Sequence, residues 1–142
     1  MDRTPPSPLP YDGSADDAPV SKLWYGVIAE GLRKGRQQIH VAPANTGGAF
    51  VIRSASEGMW EELMRPPIQM YDPFLRRLKV MANLDLVKRV PVEEGRFRLG
   101  YTDFTVDIKA TVRLRDDGQQ EAMLDLPELP PNKRLKLSAR VD

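Results

Sequence analysis

Strict alternation of apolar and polar residues over positions 104 to 114 constrains this chain more than any other feature. Every second side chain from Phe104 to Leu114 is apolar, and Thr105, Asp107 and Lys109 are among the residues between them. A period of two places the apolar side chains on one side of an extended strand. One face of the resulting sheet then packs on a core, and the other faces water or a partner. The pattern predicts an antiparallel sheet in the last third of the chain.

Two neighbouring segments repeat this alternation and extend the predicted sheet. One segment runs over residues 96–101 and the other over residues 122–126. Asp117 and Gly118 lie between the long strand and the second segment, and an Asp-Gly pair is a strong signal for a hairpin turn. Further strands are predicted earlier in the chain, at residues 37–42 and 49–54 and, with a helix as the alternative, at residues 59–64.

Two stretches follow the period of a helix instead. Between Ala18 and Lys34, apolar residues recur at the i, i+3, i+4 and i+7 positions of an amphipathic helix. Asp72 and Pro73 are suited to begin a second helix, and Asn83 is suited to end it. Together the elements predict an α+β domain, with two helices packed on one face of a mostly antiparallel sheet of about five or six strands.

Length and charge restrict the class of protein. The chain has 142 residues, enough for one domain with a core. Its 21 basic and 20 acidic residues leave a net charge of +1, which provides no overall field for nucleic acid or anionic lipid. No apolar run approaches the roughly 20 residues of a membrane span. There is no cysteine and no signal-peptide pattern. We therefore expect a cytoplasmic protein without membrane insertion and without nucleic acid as a partner.

The two ends differ in composition from the middle of the chain. Residues 1–17 contain four prolines and no apolar period, which predicts a disordered leader. Prolines also follow Leu126, and residues 127–142 are predicted to form a flexible basic tail. The ordered domain is therefore expected to span residues 18–126.

Several short stretches of this domain resemble those of a known family, in the family's order. Residues 39–43, Ile-His-Val-Ala-Pro, resemble the family's D-I-H-[IV]-E-P, and residues 77–86 resemble its R-I-K-V-M-A-G-L-D-I. Residues 94–96 and 106–109 are similar to its Q-D-G-R and V-D-[LI]-R. The order and spacing of these stretches resemble the small domain that precedes the motor in the ATPases of type II secretion and type IV pilus assembly.

The resemblance implies a PAS-like fold and a role without catalysis. The motor of the family carries a phosphate loop, but none of the ten glycines here is followed by Lys-Ser or Lys-Thr. We therefore expect a non-catalytic interaction or regulatory module without a cofactor. Its expected partners are a RecA-like secretion ATPase domain, another assembly component or a second copy of itself. Two alternatives stay open: a small-ligand-sensing PAS-like domain, or an isolated fragment of a full secretion ATPase.

Four basic residues are the candidates for contact with nucleotide phosphates or a partner. Arg53 and Arg96 match positions where, as the resemblance implies, family arginines reach phosphates of nucleotide held by an adjacent motor domain. Arg98 and Lys109 share the outward direction of Arg96 on neighbouring strands. An arginine fork binds phosphate oxygens in a bidentate manner and stays charged.

This assignment has alternatives. Ala55 stands where the family has a second strand arginine, and Glu93-Glu94 replaces its Gln-Asp. A solvated sheet face with cross-strand ion pairs to Asp107 or Glu121 is the competing interpretation. His40, the only histidine, has no cysteine or carboxylate cluster beside it in the sequence, so a structural role is expected and no metal site is predicted.

Overall fold

The computed structural model describes residues 17–101, 103–134 and 137, and the predicted leader falls almost entirely outside them. Within these residues three helices, one 3-10 turn and six strands occur. The helices are α1 (Asp17–Arg33), α2 (Tyr71–Met81) and α3 (Pro131–Arg134), and the 3-10 turn Ile68–Met70 precedes α2. The strands are β1 (Gln38–Pro43), β2 (Phe50–Ser56), β3 (Met59–Met64), β4 (Val92–Gly100), β5 (Thr105–Leu114) and β6 (Gln120–Asp125).

All six strands of the described part join one antiparallel sheet, in the order β3-β2-β1-β6-β5-β4. The chain therefore makes two meanders of three strands, which meet where β1 pairs with β6. Residues 59–64 form a strand, which resolves the ambiguity that the sequence left at this segment. The predicted α+β class, with helices on one face of a mostly antiparallel sheet, is confirmed.

The helices pack on the sheet through an aromatic contact at their centre. The rings of Trp24 in α1 and Phe74 in α2 stack with centroids 3.9 Å apart and planes at 2°. The Trp24 indole N–H donates to the carbonyl oxygen of Phe74 at 2.7 Å, which satisfies the polar atom of a fully buried ring. Phe50 of β2 lies 5.4 Å from the Phe74 ring and joins the pair to the sheet. The inward faces of the central strands complete the core with Ile39, Val41, Ile108 and Leu124.

Polar contacts connect α2 to the start of β6. The Tyr71 hydroxyl donates to the backbone carbonyl of Gln120, and Lys79 Nζ donates to the Gln120 side-chain oxygen at 3.1 Å. All three residues are buried. Burial raises the pKa of Tyr71, because ionisation would place a charge among apolar side chains and remove the hydroxyl donor. These contacts orient α2 across the sheet.

The described end of the chain contributes to the core. Leu129 and Leu137 are buried, and Arg134 Nε donates to the Leu129 carbonyl at 2.9 Å. The packed core thus includes residues beyond position 126, where the sequence pattern placed the end of the ordered domain. Prolines interrupt this segment and leave its leucines without a period, so their burial could not be recognised from the sequence.

Gly95 is required where β4 passes beneath the end of α2. A Cβ at this position would lie 2.4 Å from the carbonyl oxygen of Ala82, which is backbone and cannot rotate away. We expect Gly95→Ala to lower the free energy of unfolding by about 1–3 kcal/mol, because the end of α2 must shift. Urea denaturation measures this difference.

Gly100→Ala in the same strand provides the control. Apart from Gly100 itself and its two chain neighbours, no residue has an atom within 4 Å of a Cβ built there. Its substitution should change the free energy of unfolding by about 0.5 kcal/mol or less. Equal stabilities of the two variants would show that the contact between Gly95 and Ala82 does not constrain the fold.

Candidate interaction face

The side of the sheet opposite the helices, called here the outer face, carries most of the charged residues of the strands. Inward and outward side chains alternate along β5 and β6. Apolar residues of β5 face the helices and its polar residues face away, and β6 departs from this pattern at the inward Gln120 and the outward Met123. The ionisable residues of the outer face are His40, Arg53, Glu62, Glu94, Arg96, Arg98, Asp107, Lys109, Arg113, Glu121 and Asp125.

Three of the four candidate residues lie together at one end of the outer face. Arg96 of β4 is directly opposite Lys109 of β5, and Arg98 is opposite Asp107. Arg96 and Arg98 are exposed, whereas Lys109 is half-buried. The alternation in the sequence was sufficient to predict this arrangement, because residues of the same parity on paired strands share a face.

Arg53 lies far from the other three candidates. It is on β2, opposite His40 of β1 and Glu62 of β3. Four strand spacings of about 4.8 Å separate β2 from β4, so Arg53 and Arg96 are about 19 Å apart across the sheet. Side chains stand roughly perpendicular to a sheet. The two guanidinium groups are therefore placed to contact different parts of a partner.

Two of the four candidate cations are in ion pairs. Arg98 Nε lies 2.7 Å from an Asp107 carboxylate oxygen, and Lys109 Nζ lies 3.6 Å from Glu94. The Arg98 guanidinium lowers the pKa of Asp107 through this hydrogen bond. The predicted pairing to Asp107 is thus present, whereas Glu121 lies 3.2 Å from His40 Nε2 instead of an arginine. Glu94 was not expected as a partner for Lys109, and only the strand register reveals it.

Arg53 and Arg96 have a different environment. Within the part of the chain that the structure describes, neither guanidinium makes a hydrogen bond or salt bridge. Arg53 lies near enough to Glu62, and Arg96 near enough to Asp107, to lower the pKa of those carboxyls, but both carboxylates bind another arginine directly. These two arginines therefore keep their donors available for a ligand or partner.

Two further arginines, which the sequence did not single out, lie near Arg53. Arg65 follows β3 and Arg115 follows β5, and both line a depression of 370 Å³ with Arg53 and His40. Arg65 binds Glu62 and Arg115 binds Asp117. Both residues lie just beyond the ends of strands, where alternation no longer indicates direction, so sequence reasoning missed them.

The described residues also bear on metal binding and on membrane insertion. Residues 17–101, 103–134 and 137 contain no group of three or more His, Asp or Glu side chains placed to hold a metal ion. His40 contacts Glu121, and the centroids of its ring and the Trp60 ring are 6.0 Å apart, with the ring planes at 74°. None of the described helices has the length and apolar character needed to cross a membrane.

Comparison with known proteins identifies the family. The family described as "Type II/IV secretion system protein" matches residues 13–119. The chain belongs to this family. The matched residues include all four candidate cations and end just before β6.

Relatives in several bacteria show the same relationship. The chain is 32% identical over 128 residues to the type IV pilus assembly ATPase PilB of Myxococcus xanthus, covering 82% of this chain and 22% of the relative. It is 31% identical over 111 residues to the type II secretion system ATPase E of Vibrio cholerae, covering 78% and 22%. The chain thus spans less than a quarter of the length of these secretion ATPases, and the homology lies in their N-terminal part.

The ion pair between Arg98 and Asp107 gives a prediction about pH. We expect the pKa of Asp107 to lie below the ordinary value of 3.8, because the guanidinium stabilises the carboxylate. The pair then stabilises the fold above the unfolded-state pKa of Asp107, and this contribution is lost as pH falls through the folded-state pKa. Arg98→Ala should raise the pKa, as measured by NMR titration of the carboxyl carbon.

Arg76→Ala is the matched control for this titration, because Arg76 is an exposed arginine of α2 on the helical side of the domain. It should leave the Asp107 titration unchanged. An Asp107 pKa that is the same in the wild type and in Arg98→Ala would contradict the ion pair.

Proposed function

We propose that this domain is a non-catalytic interaction or regulatory module of a secretion or pilus assembly ATPase system. It docks through the outer face of its sheet on a RecA-like motor domain or on another component of the assembly. The proposal rests on which of the four candidate cations already bind another side chain. The two arginines that match family motifs, Arg53 and Arg96, are the two that have no salt bridge or hydrogen bond among the described residues.

Charge-assisted hydrogen bonds explain how these arginines would bind a partner. A guanidinium fork offers two parallel donors to a carboxylate or phosphate, and such contacts are about twice as strong as neutral hydrogen bonds. Arg98 and Lys109 already bind carboxylates, since Arg98 pairs with Asp107 and Lys109 pairs with Glu94. Arg53 and Arg96 supply the docking contacts, and Arg98 and Lys109 hold the surrounding surface in place.

The separation of the two arginines favours a protein surface as the partner. Their positions about 19 Å apart suit two anionic groups on one broad surface better than a single small anion. Carboxylates of a motor domain and phosphates of a nucleotide bound to it are both suitable acceptors. The motor of the same assembly, located in the cytoplasm, is the partner that this arrangement fits best.

A role without catalysis agrees with the sequence of the chain. It contains no phosphate loop, and a motor would have to supply the nucleotide chemistry. The chain matches only the N-terminal region of its longer relatives. In the full assembly, the domain would transmit contacts to a motor that hydrolyses ATP.

The space between helices and sheet does not favour the small-ligand sensor as an alternative. Trp24, Phe74 and Phe50 occupy it at its centre, each with a fully buried ring. A ligand there would have to displace these rings.

Arginine-to-alanine variants test the docking surface. We expect Arg53→Ala and Arg96→Ala each to weaken binding to a secretion ATPase motor domain from the same organism by roughly tenfold or more, because each loses a contact of about 1.5–3 kcal/mol. Their free energies of unfolding should change by about 0.5 kcal/mol or less. Isothermal titration calorimetry measures binding, and urea denaturation measures stability.

Arg76→Ala again serves as the control, because it removes an exposed arginine from the opposite side of the domain. It should bind the motor domain like the wild type. Unchanged binding in both Arg53→Ala and Arg96→Ala would refute the proposed docking surface and leave the fold assignment intact.

A further inference from the structure

The strand β3 leaves one side of its backbone unpaired. It is the terminal strand of the sheet on the side of β2, and no other strand of the described residues continues the sheet beyond it. Within this part of the chain, the backbone N–H and C=O groups of Trp60 and Glu62 make no hydrogen bond to a turn, a loop or a helix cap. A terminal strand in this condition is a template for a further strand.

The turn before β3 determines which backbone groups face outward. Glu57 and Gly58 have φ angles of 53° and 80°, as in a two-residue type I′ hairpin. The flanking residues Ser56 and Met59 then form a hydrogen-bonded pair, and hydrogen-bonded and non-hydrogen-bonded pairs alternate from there. Trp60 and Glu62 fall at non-hydrogen-bonded positions. Their N–H and C=O groups therefore point away from β2 towards the open edge.

Apolar side chains remain exposed along the same strand. Met59 is 74% exposed, Trp60 45% and Met64 40%. Natural sheets protect such edges with charges, prolines or bulges. The opposite terminal strand, β4, carries exposed Arg96 and Arg98, whereas the protection of β3 is limited to two carboxylates and an irregularity in its register with β2.

The charges of β3 specify the chemistry of a partner. Its only ionisable side chains are Glu61 and Glu62, and both are exposed. Arg36 and Arg65, from the flanking segments, bind them in surface ion pairs. Exposed ion pairs of this kind contribute little to stability, so an incoming cation can share the carboxylates.

We propose that the edge of β3 binds an extended peptide segment of a partner protein in which apolar residues alternate with Lys or Arg. The segment adds a seventh strand by hydrogen bonding to the outward backbone groups of Trp60 and Glu62. Its apolar side chains pack on Trp60, and its basic side chains, on the other face of the added strand, bind Glu61. The side chains of Trp60 and Glu62 border the outer face, but the proposal uses the backbone edge of β3 and does not rest on the docking function of Arg53 and Arg96.

A second copy of the chain fits this edge less well. When two β3 strands pair antiparallel with Trp60 opposite Glu62, the two Glu61 side chains lie opposite one another. Like charges in directly opposed positions destabilise a sheet. The acidic strand is therefore complementary to a basic segment rather than to itself.

The test uses the full chain, labelled with ¹⁵N, and a synthetic peptide of alternating valine and lysine with blocked ends. Titration should shift the amide resonances of Trp60 and Glu62 and the fluorescence of Trp60. Trp24 is fully buried, so its emission should not change. A matched peptide of alternating valine and glutamate should bind at least about tenfold more weakly.

Two variants separate the backbone and charge contributions. Glu62→Pro removes an outward N–H at a position where proline is tolerated in a terminal strand, and it should weaken binding by about tenfold or more. The double variant E61K/E62K should reverse the preference, so that it binds the glutamate peptide more tightly than the lysine peptide. Arg76→Ala, which removes an exposed arginine of α2 and leaves both edges of the sheet unchanged, should bind the lysine peptide like the wild type.

Three results would overturn the proposal. The lysine peptide could shift amide resonances of β4 and not those of β3. E61K/E62K could keep the affinity of the wild type for the lysine peptide. Sedimentation could show that the chain dimerises, with Trp60 and Glu62 protected in the dimer, which would assign the edge to a second copy. Circular dichroism of each variant establishes that it is folded before binding is measured.

Discussion

The contact between Trp24 and Phe74 holds the two long helices of this domain together and, through Phe50, places them on the sheet. It joins α1 to α2 by ring stacking and by the hydrogen bond from the indole to the Phe74 carbonyl. A buried indole N–H without a partner would be costly, so the bond restricts how the two helices can be placed. Phe50 extends the contact to the sheet. With the helices fixed on one side, the other side of the sheet is left exposed, and this is where the candidate cations lie.

Much of the fold could be predicted from the sequence because its elements have clear periods. The alternation along β5 and the helical stripe of α1 each identify an element and its buried side. Residues 59–64 have no such period, because an edge strand with exposed residues on both faces does not alternate. The burial of Leu129 and Leu137 was also beyond prediction, because an irregular segment has no repeating geometry that relates sequence to burial.

The candidate site could be predicted only in part, for a different reason. Parity along paired strands placed Arg96, Arg98 and Lys109 on one face. Whether each charged side chain forms an ion pair depends on which residues lie opposite it on the next strand. Alternation does not determine this register between strands. The pairing of Lys109 with Glu94, and of Glu121 with His40, therefore required the structure. Register is also what distinguishes the paired Arg98 from Arg96, although the two residues are only two positions apart.

The pairing of β1 with β6 has a consequence for how the chain folds. Each three-stranded meander forms from neighbouring segments, but the pair that joins them brings together Gln38 and Asp125, which are 87 positions apart. Closing so long a loop costs conformational entropy before its contacts can compensate. The two halves are therefore expected to form early and the central seam late. During synthesis, the first meander therefore has an open edge at β1 until β6 leaves the ribosome.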